Sequence, residues 1–189
     1  MNAASMMRRL RLFGRYARAG VRRRRHVVAL LIGLGGYGSM AVDAVAANWQ
    51  LAFDPQSNRS LAEGVLFLLD KRAAGPELQR GDIVAFRPPA HAAALFPEPE
   101  RLKFIKRAAG LPGDRVEVTV RDTRVNGVVV GEGLALAAFL QADVGFFVRS
   151  FTVPEGFLFP MGETEDSYDG RYYGLTPFAS ILGRARRLL

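Results

Sequence analysis

Leu102-Lys-Phe-Ile-Lys-Arg-Ala108 is followed by Gly110-Leu-Pro-Gly-Asp114 and then by Arg115-Val-Glu-Val-Thr-Val120. Both flanking runs alternate apolar and polar residues, and Gly and Pro punctuate the link. A period of two marks a half-buried strand, whose successive side chains point to opposite faces. The same pattern extends outward. Asp82-Ile-Val-Ala-Phe-Arg87 is a short strand closed by Pro88-Pro89. Arg124-Val-Asn-Gly-Val-Val-Val130 and Gly145-Phe-Phe-Val-Arg-Ser-Phe-Thr-Val153 read as further strands, and Phe157-Leu-Phe159 follows the turn Pro154-Glu-Gly156. Residues 61–75 hold a short helix or another strand, residues 90–100 a loop, and residues 134–143 a helical turn or an excursion. Many short strands between Gly and Pro turns predict a mainly β fold, a compact antiparallel sandwich or barrel-like domain.

The 189 residues carry a formal charge of +8, which taken alone points to nucleic acid. The distribution argues otherwise. Residues 1–25 hold nine Arg and no acid, leaving 17 basic against 18 acidic residues, a net of −1, for the remainder. After Arg22-Arg-Arg-Arg25 comes a run of 16 uncharged residues, Val27–Val42, extended past Asp43 by Ala44-Val-Ala-Ala47. That length spans most of a ~30 Å hydrocarbon core. The Arg cluster holds its own flank in the cytoplasm and sends the rest of the chain across. The expected organisation is a basic cytoplasmic tail (1–25), a transmembrane signal-anchor helix (26–47) and an extracytoplasmic domain (48–189), with the lipid bilayer as partner and no nucleic acid. Two competing readings are a cleaved secretory signal ending at Ala44-Val45-Ala46 and a buried core helix. Nine flanking Arg disfavour the second.

No Cys is present, which excludes a thiol nucleophile and Cys-ligated metals; His26 and His91 alone make a multi-His metal site improbable. Lysine occurs only at 71, 103 and 106, against 23 Arg. Arg stays protonated in proteins, whereas a buried Lys gives up its charge more readily. In the alternating run Leu102, Phe104, Lys106 and Ala108 share one face, so Lys106 points toward the expected core. Burial penalises an ammonium and suits a general base near neutral pH. The competing reading is a Lys whose stem packs on Phe104 while its amine reaches water. A Ser–Lys dyad supplies acyl chemistry without Cys or His. Ser57, Ser60, Ser150, Ser167 and Ser180 are the candidate partners, and composition does not choose among them.

These motifs resemble the membrane-bound signal peptidase family of Ser–Lys proteases. Lys103-Phe-Ile-Lys-Arg-Ala-Ala-Gly-Leu-Pro-Gly-Asp-Arg115 is similar to the family's lysine-bearing box, which makes Lys106 the base. Val153-Pro-Glu-Gly-Phe-Leu-Phe-Pro-Met-Gly162 and Asp166-Ser-Tyr-Asp-Gly-Arg-Tyr-Tyr-Gly174 resemble two later boxes, and Ile181-Leu-Gly-Arg-Ala185 the closing strand. Ser60-Leu-Ala-Glu-Gly64 keeps the Ser-Leu and Gly of the nucleophile box but lacks its Pro. The resemblance implies Ser60 as nucleophile, with its backbone N–H and Asn58 forming the oxyanion hole. It implies that Ser167 holds the base and that Asp169 and Arg171 pair beside it; the competing reading is a surface ion pair worth ~0–1 kcal/mol. Ile83, Val84, Ala85, Phe86 and Phe104 are expected to wall the substrate groove, and no cofactor or metal is implied. The compact domain is similar to the conjugative-transfer branch, which matures pilin precursors.

The function this implies is a single-pass serine endopeptidase of the bacterial inner membrane, its N-terminus cytoplasmic and its catalytic domain periplasmic. It would cleave leader peptides at Ala-x-Ala-type sites in exported precursors. Two alternatives stand beside it. One is an inactive tethered scaffold that binds precursors, supported by the altered nucleophile box. The other is a self-cleaving repressor, disfavoured by the membrane segment and by the lack of a convincing helix-turn-helix.

Overall fold

The computed structural model describes residues 42, 43, 45–53, 60, 61 and 66–188. The expected tail and nearly all of the expected anchor lie outside them, as do Ser57 and Asn58; Val42, Asp43, Val45 and Ala46 are helical. Among the described residues no helix is long and apolar enough to cross a membrane. The chain divides into two units, Met1–Ala46 and Ala47–Leu189.

The second unit is mainly β, with every strand pairing antiparallel. Its strands are β1 (Trp49–Phe53), β2 (Leu66–Asp70), β3 (Ile83–Phe86), β4 (Phe104–Gly110), β5 (Arg115–Val118), β6 (Asp122–Val125), β7 (Val128–Glu132), β8 (Arg149–Thr152), β9 (Phe157–Met161), β10 (Thr176–Pro177) and β11 (Ile181–Arg187). A seven-stranded sheet runs β1-β2-β11-β3-β4-β9-β10 and a four-stranded sheet runs β7-β6-β5-β8. Alternation decides which faces are buried. In β4, Phe104, Lys106 and Ala108 are buried while Ile105 and Arg107 are half-buried; in β5, Val116 and Val118 are buried between more exposed Arg115 and Glu117. Val116, Val118 and Val125 of the smaller sheet join Ala109, Phe159 and Met161 of the larger in one core. A second core gathers Val84, Phe86, Phe104 and Leu158.

Several segments differ from expectation. The run 124–130 is two strands, because Asn126 (φ 50°) and Gly127 (φ 81°) turn the chain and Val125 pairs with Val128. Positive φ at both central residues is what a two-residue hairpin needs. The Asn126 amide fixes this turn, accepting from the Arg115 N–H at 2.9 Å and donating to Asp114 at 2.8 Å. In 145–153 only Arg149–Thr152 is a strand. Val144–Phe147 forms a 3-10 turn, because the Asp143 carboxylate accepts from the Gly145 N–H at 2.7 Å and caps it. The ambiguous stretch 61–75 contains β2, and the loop at 90–100 holds one helical turn, Ala90–Ala93. β9 runs on through Pro160 to Met161, and its pairing with β4 shifts register between Ala108 and Gly110.

Candidate active site

Pairing with β3 puts Lys106 opposite Val84, on the inner face of β4. The residue is 2% exposed. Its stem passes Phe104, whose ring centre lies 5.5 Å from Nζ. Nζ donates to Ser60 Oγ and, at 2.7 Å, to Ser167 Oγ. The amine therefore stays inside the protein rather than reaching water. Ser60 is tied to the end of β9, its carbonyl accepting from the Glu163 N–H at 2.6 Å. The Glu163 carboxylate accepts from Arg107 Nε at 2.6 Å and lies 3.5 Å from Arg187. Gly162 makes this approach possible. A Cβ there would fall 2.9 Å from the Ser60 carbonyl oxygen and closer still to the Ser167 side chain.

Ser167 is held by a buried ion pair. Asp169 and Arg171 are 0% and 1% exposed, so the pair is not a surface one. The Asp169 carboxylate accepts from the Gly162 N–H at 2.9 Å, from the Arg171 N–H at 3.1 Å and from Arg171 Nε at 2.9 Å. It thereby caps the helical turn Gly170–Tyr173. The rest of the guanidinium donates to the carbonyls of Glu132 (2.7 Å), Gly133 (3.3 Å), Thr164 (3.1 Å) and Ser167 (3.2 Å). A buried charge is tolerated when it is paired and its remaining donors are satisfied, and this one meets both conditions.

Ser60 and Lys106 open on a cavity of about 580 Å³. Its walls are largely apolar. Leu51, Ala52 and Phe53 come from β1, Leu95 and Phe96 from the loop after β3, and Leu136, Phe139 and Leu140 from the excursion after β7. Lys103, Asp166 and Tyr168 add polar atoms. Burial pushes the Tyr168 phenol up from its ordinary value, so it stays protonated at neutral pH and is no competing base. Chemically, the arrangement places a hydroxyl against an enclosed amine, with a second hydroxyl on the same nitrogen.

The family profile described as signal peptidase, peptidase S26, matches residues 29–189. The chain belongs to this family. Among curated signal peptidases, a probable signal peptidase I-2 of Synechocystis is 34% identical over 108 residues, covering 57% of this chain and 46% of its own. The Pseudomonas aeruginosa signal peptidase I is 30% identical over 143 residues, covering 57% and 47%. The chain thus spans about half the length of the curated relatives it matches. A crystal structure of a signal peptidase I from Enterococcus faecalis matches 57% of this chain and 96% of its own at 29% identity, with a TM-score of 0.36.

Within this signal peptidase domain Ser60, Lys106, Ser167, Asp169 and Arg171 converge, while Asn58 lies outside the described residues. Ala85 and Phe104 line the cavity, but Ile83, Val84 and Phe86 do not. Val84 and Phe86 are fully buried in the core beneath. β3 is paired by β11 on one side and β4 on the other, so it offers no free edge to a peptide. The β4–β9 ladder starts at Arg107, so among the described residues Phe104–Lys106 pair with β3 alone. Sequence reasoning missed the Leu136, Phe139 and Leu140 wall. Its available signal was three large apolar residues within a segment that fits neither strand nor helix.

Proposed function

We propose that this chain is a membrane-anchored Ser–Lys endopeptidase that cleaves leader peptides from exported precursors. The observation that carries the reading is one buried amine, Lys106, held against the Ser60 and Ser167 hydroxyls at the base of an open cavity, in a chain of the signal peptidase family.

Lys106 acts as a neutral amine. Its lone pair accepts the Ser60 hydroxyl proton while one of its N–H groups donates to Ser167 Oγ. Ser60 Oγ attacks the scissile carbonyl, and the backbone N–H of Ser60 with the Asn58 amide stabilises the oxyanion. The resulting ammonium passes its proton to the departing amine as the C–N bond breaks. Lys106, neutral again, takes a proton from water as the water attacks the acyl ester, and returns that proton to Ser60 Oγ as the C–O bond breaks. An amine in place of that water gives transpeptidation or ring closure. Ser167 and the Asp169–Arg171 pair are positioning residues that hold the amine in line. The peptide lies extended along the Phe104–Lys106 edge of β4, pairing through main-chain hydrogen bonds.

The substrates are precursors with Ala-x-Ala-type sites, and the spacing of the boxes favours a pilin or conjugative-transfer precursor. Nine Arg before the apolar run support a single pass of the bacterial inner membrane with the N-terminus in the cytoplasm and the catalytic domain outside. The test uses the full chain in detergent on a precursor peptide. Cleavage after the second Ala that vanishes in Ser60→Ala and persists in Ser57→Ala is expected. Cleavage by Ser60→Ala at the wild-type rate overturns the assignment.

A further inference from the structure

Phe139 is the most exposed of the large apolar side chains among the described residues, at 81%, yet it sits on a fixed platform. Leu134 and Ala137 of the same excursion are buried in the core. The Leu136 N–H donates to Tyr172 Oη at 3.0 Å, and bonds from the Ala137, Leu140 and Ala142 N–H groups close the excursion on itself. Its root, at the Glu132 and Gly133 carbonyls, is held by the same Arg171 guanidinium that holds the Thr164 and Ser167 carbonyls. The apolar wall and the Ser167–Lys106 contact are thus referred to one side chain.

This wall lines the cavity that contains Ser60 and Lys106. Two alanine methyl groups fill only a small part of about 580 Å³, a volume within the range of sites that enclose whole ligands. The Phe139 ring, Leu136 and Leu140 are among the apolar walls of that space. We propose that these three residues form a specificity subsite for one large apolar side chain of the precursor, close to the scissile bond. This rests on the peptidase reading above. A peptide side chain is favoured over lipid as the occupant because the wall shares its cavity with the reacting groups.

The test is a cycle on the full chain in detergent. A series of Ala-x-Ala peptides carries Phe or Ala at one position at a time, on both sides of the cleavage point. At one position the wild type prefers Phe by roughly 10- to 100-fold in kcat/KM, the worth of covering a large apolar group. Phe139→Ala and Phe139→Asp remove most of that preference. Phe146→Ala, a ring 77% exposed but outside the cavity wall, keeps it. Binding of the Phe-bearing peptide to Ser60→Ala weakens by a similar factor when Phe139→Ala is added. Full preference retained in Phe139→Ala overturns the subsite. So does weaker binding to phosphatidylglycerol vesicles with unchanged peptide kinetics, which makes the wall a membrane contact. A wild-type chain that cleaves none of the peptides, or a Ser60→Ala variant that cleaves them all, overturns the peptidase reading and the subsite with it.

Discussion

Lys103 and Lys106 stand three residues apart on one run of sequence, the first exposed and the second buried. That difference was legible because strand side chains alternate with a period of two, and Leu102 and Phe104 mark the inner face. The partner hydroxyl was not legible in the same way. Five serines remained open on composition, and only the resemblance singled out Ser60, since no local period links residues 46 positions apart. The chemistry at this scale is specific to an amine. Lys106→Arg keeps the charge but not the ability to lose it, so kcat falls by roughly 10²–10⁴-fold. A fluorogenic precursor peptide measures this. For the wild type, kcat/KM falls as pH is lowered, because a protonated amine has no lone pair for the Ser60 proton. A flat profile down to pH 5 contradicts a lysine base.

Turns decide how strands are delivered to the site, and they are where the sequence reading fell short. Valines on both sides hide the Asn126-Gly127 turn in the apolar pattern, and the Asp143 cap leaves no mark in it. In both cases the missing information lay in one side chain bonding to nearby backbone rather than in the apolar pattern. Asp114, in the turn between β4 and β5, shows what such a group contributes. Burial alone would raise its carboxyl, but the Leu111 N–H, the Asn126 amide and Arg80 outweigh it and lower it. A lowered value stabilises the fold above the unfolded carboxyl's ~3.9, and the contribution is lost as pH falls through the folded value. Asp114→Asn therefore costs about 1–3 kcal/mol at pH 7, and the gap to wild type narrows in acid. Urea unfolding at pH 7 and pH 3 measures both. Just past the end of β9, Gly162→Ala drives a methyl group into the Ser167 side chain and the Ser60 carbonyl oxygen. It costs about 1–3 kcal/mol of stability and most of the cleavage activity.

Across the whole molecule the strand content was readable but the pairing was not. β11 lies between β2 and β3, joining residues more than 90 apart, and such contacts leave no periodic trace. Arg171 is the point where distant parts meet. It bonds the end of β7, the segment bearing Ser167 and the turn that follows. Arg171→Ala strands the Asp169 carboxylate in the interior and costs about 3–5 kcal/mol, read as a lowered midpoint in thermal unfolding. Lost activity and lost stability should go together for Arg171, whereas Lys106→Arg should separate them. The measurement that reaches the central claim most directly is the mass of the full chain quenched in acid during turnover of a precursor peptide. An acyl adduct mapping to Ser60 in the wild type, and absent in Lys106→Ala, is the expected result. An adduct on another residue, or one formed equally well without Lys106, contradicts the account.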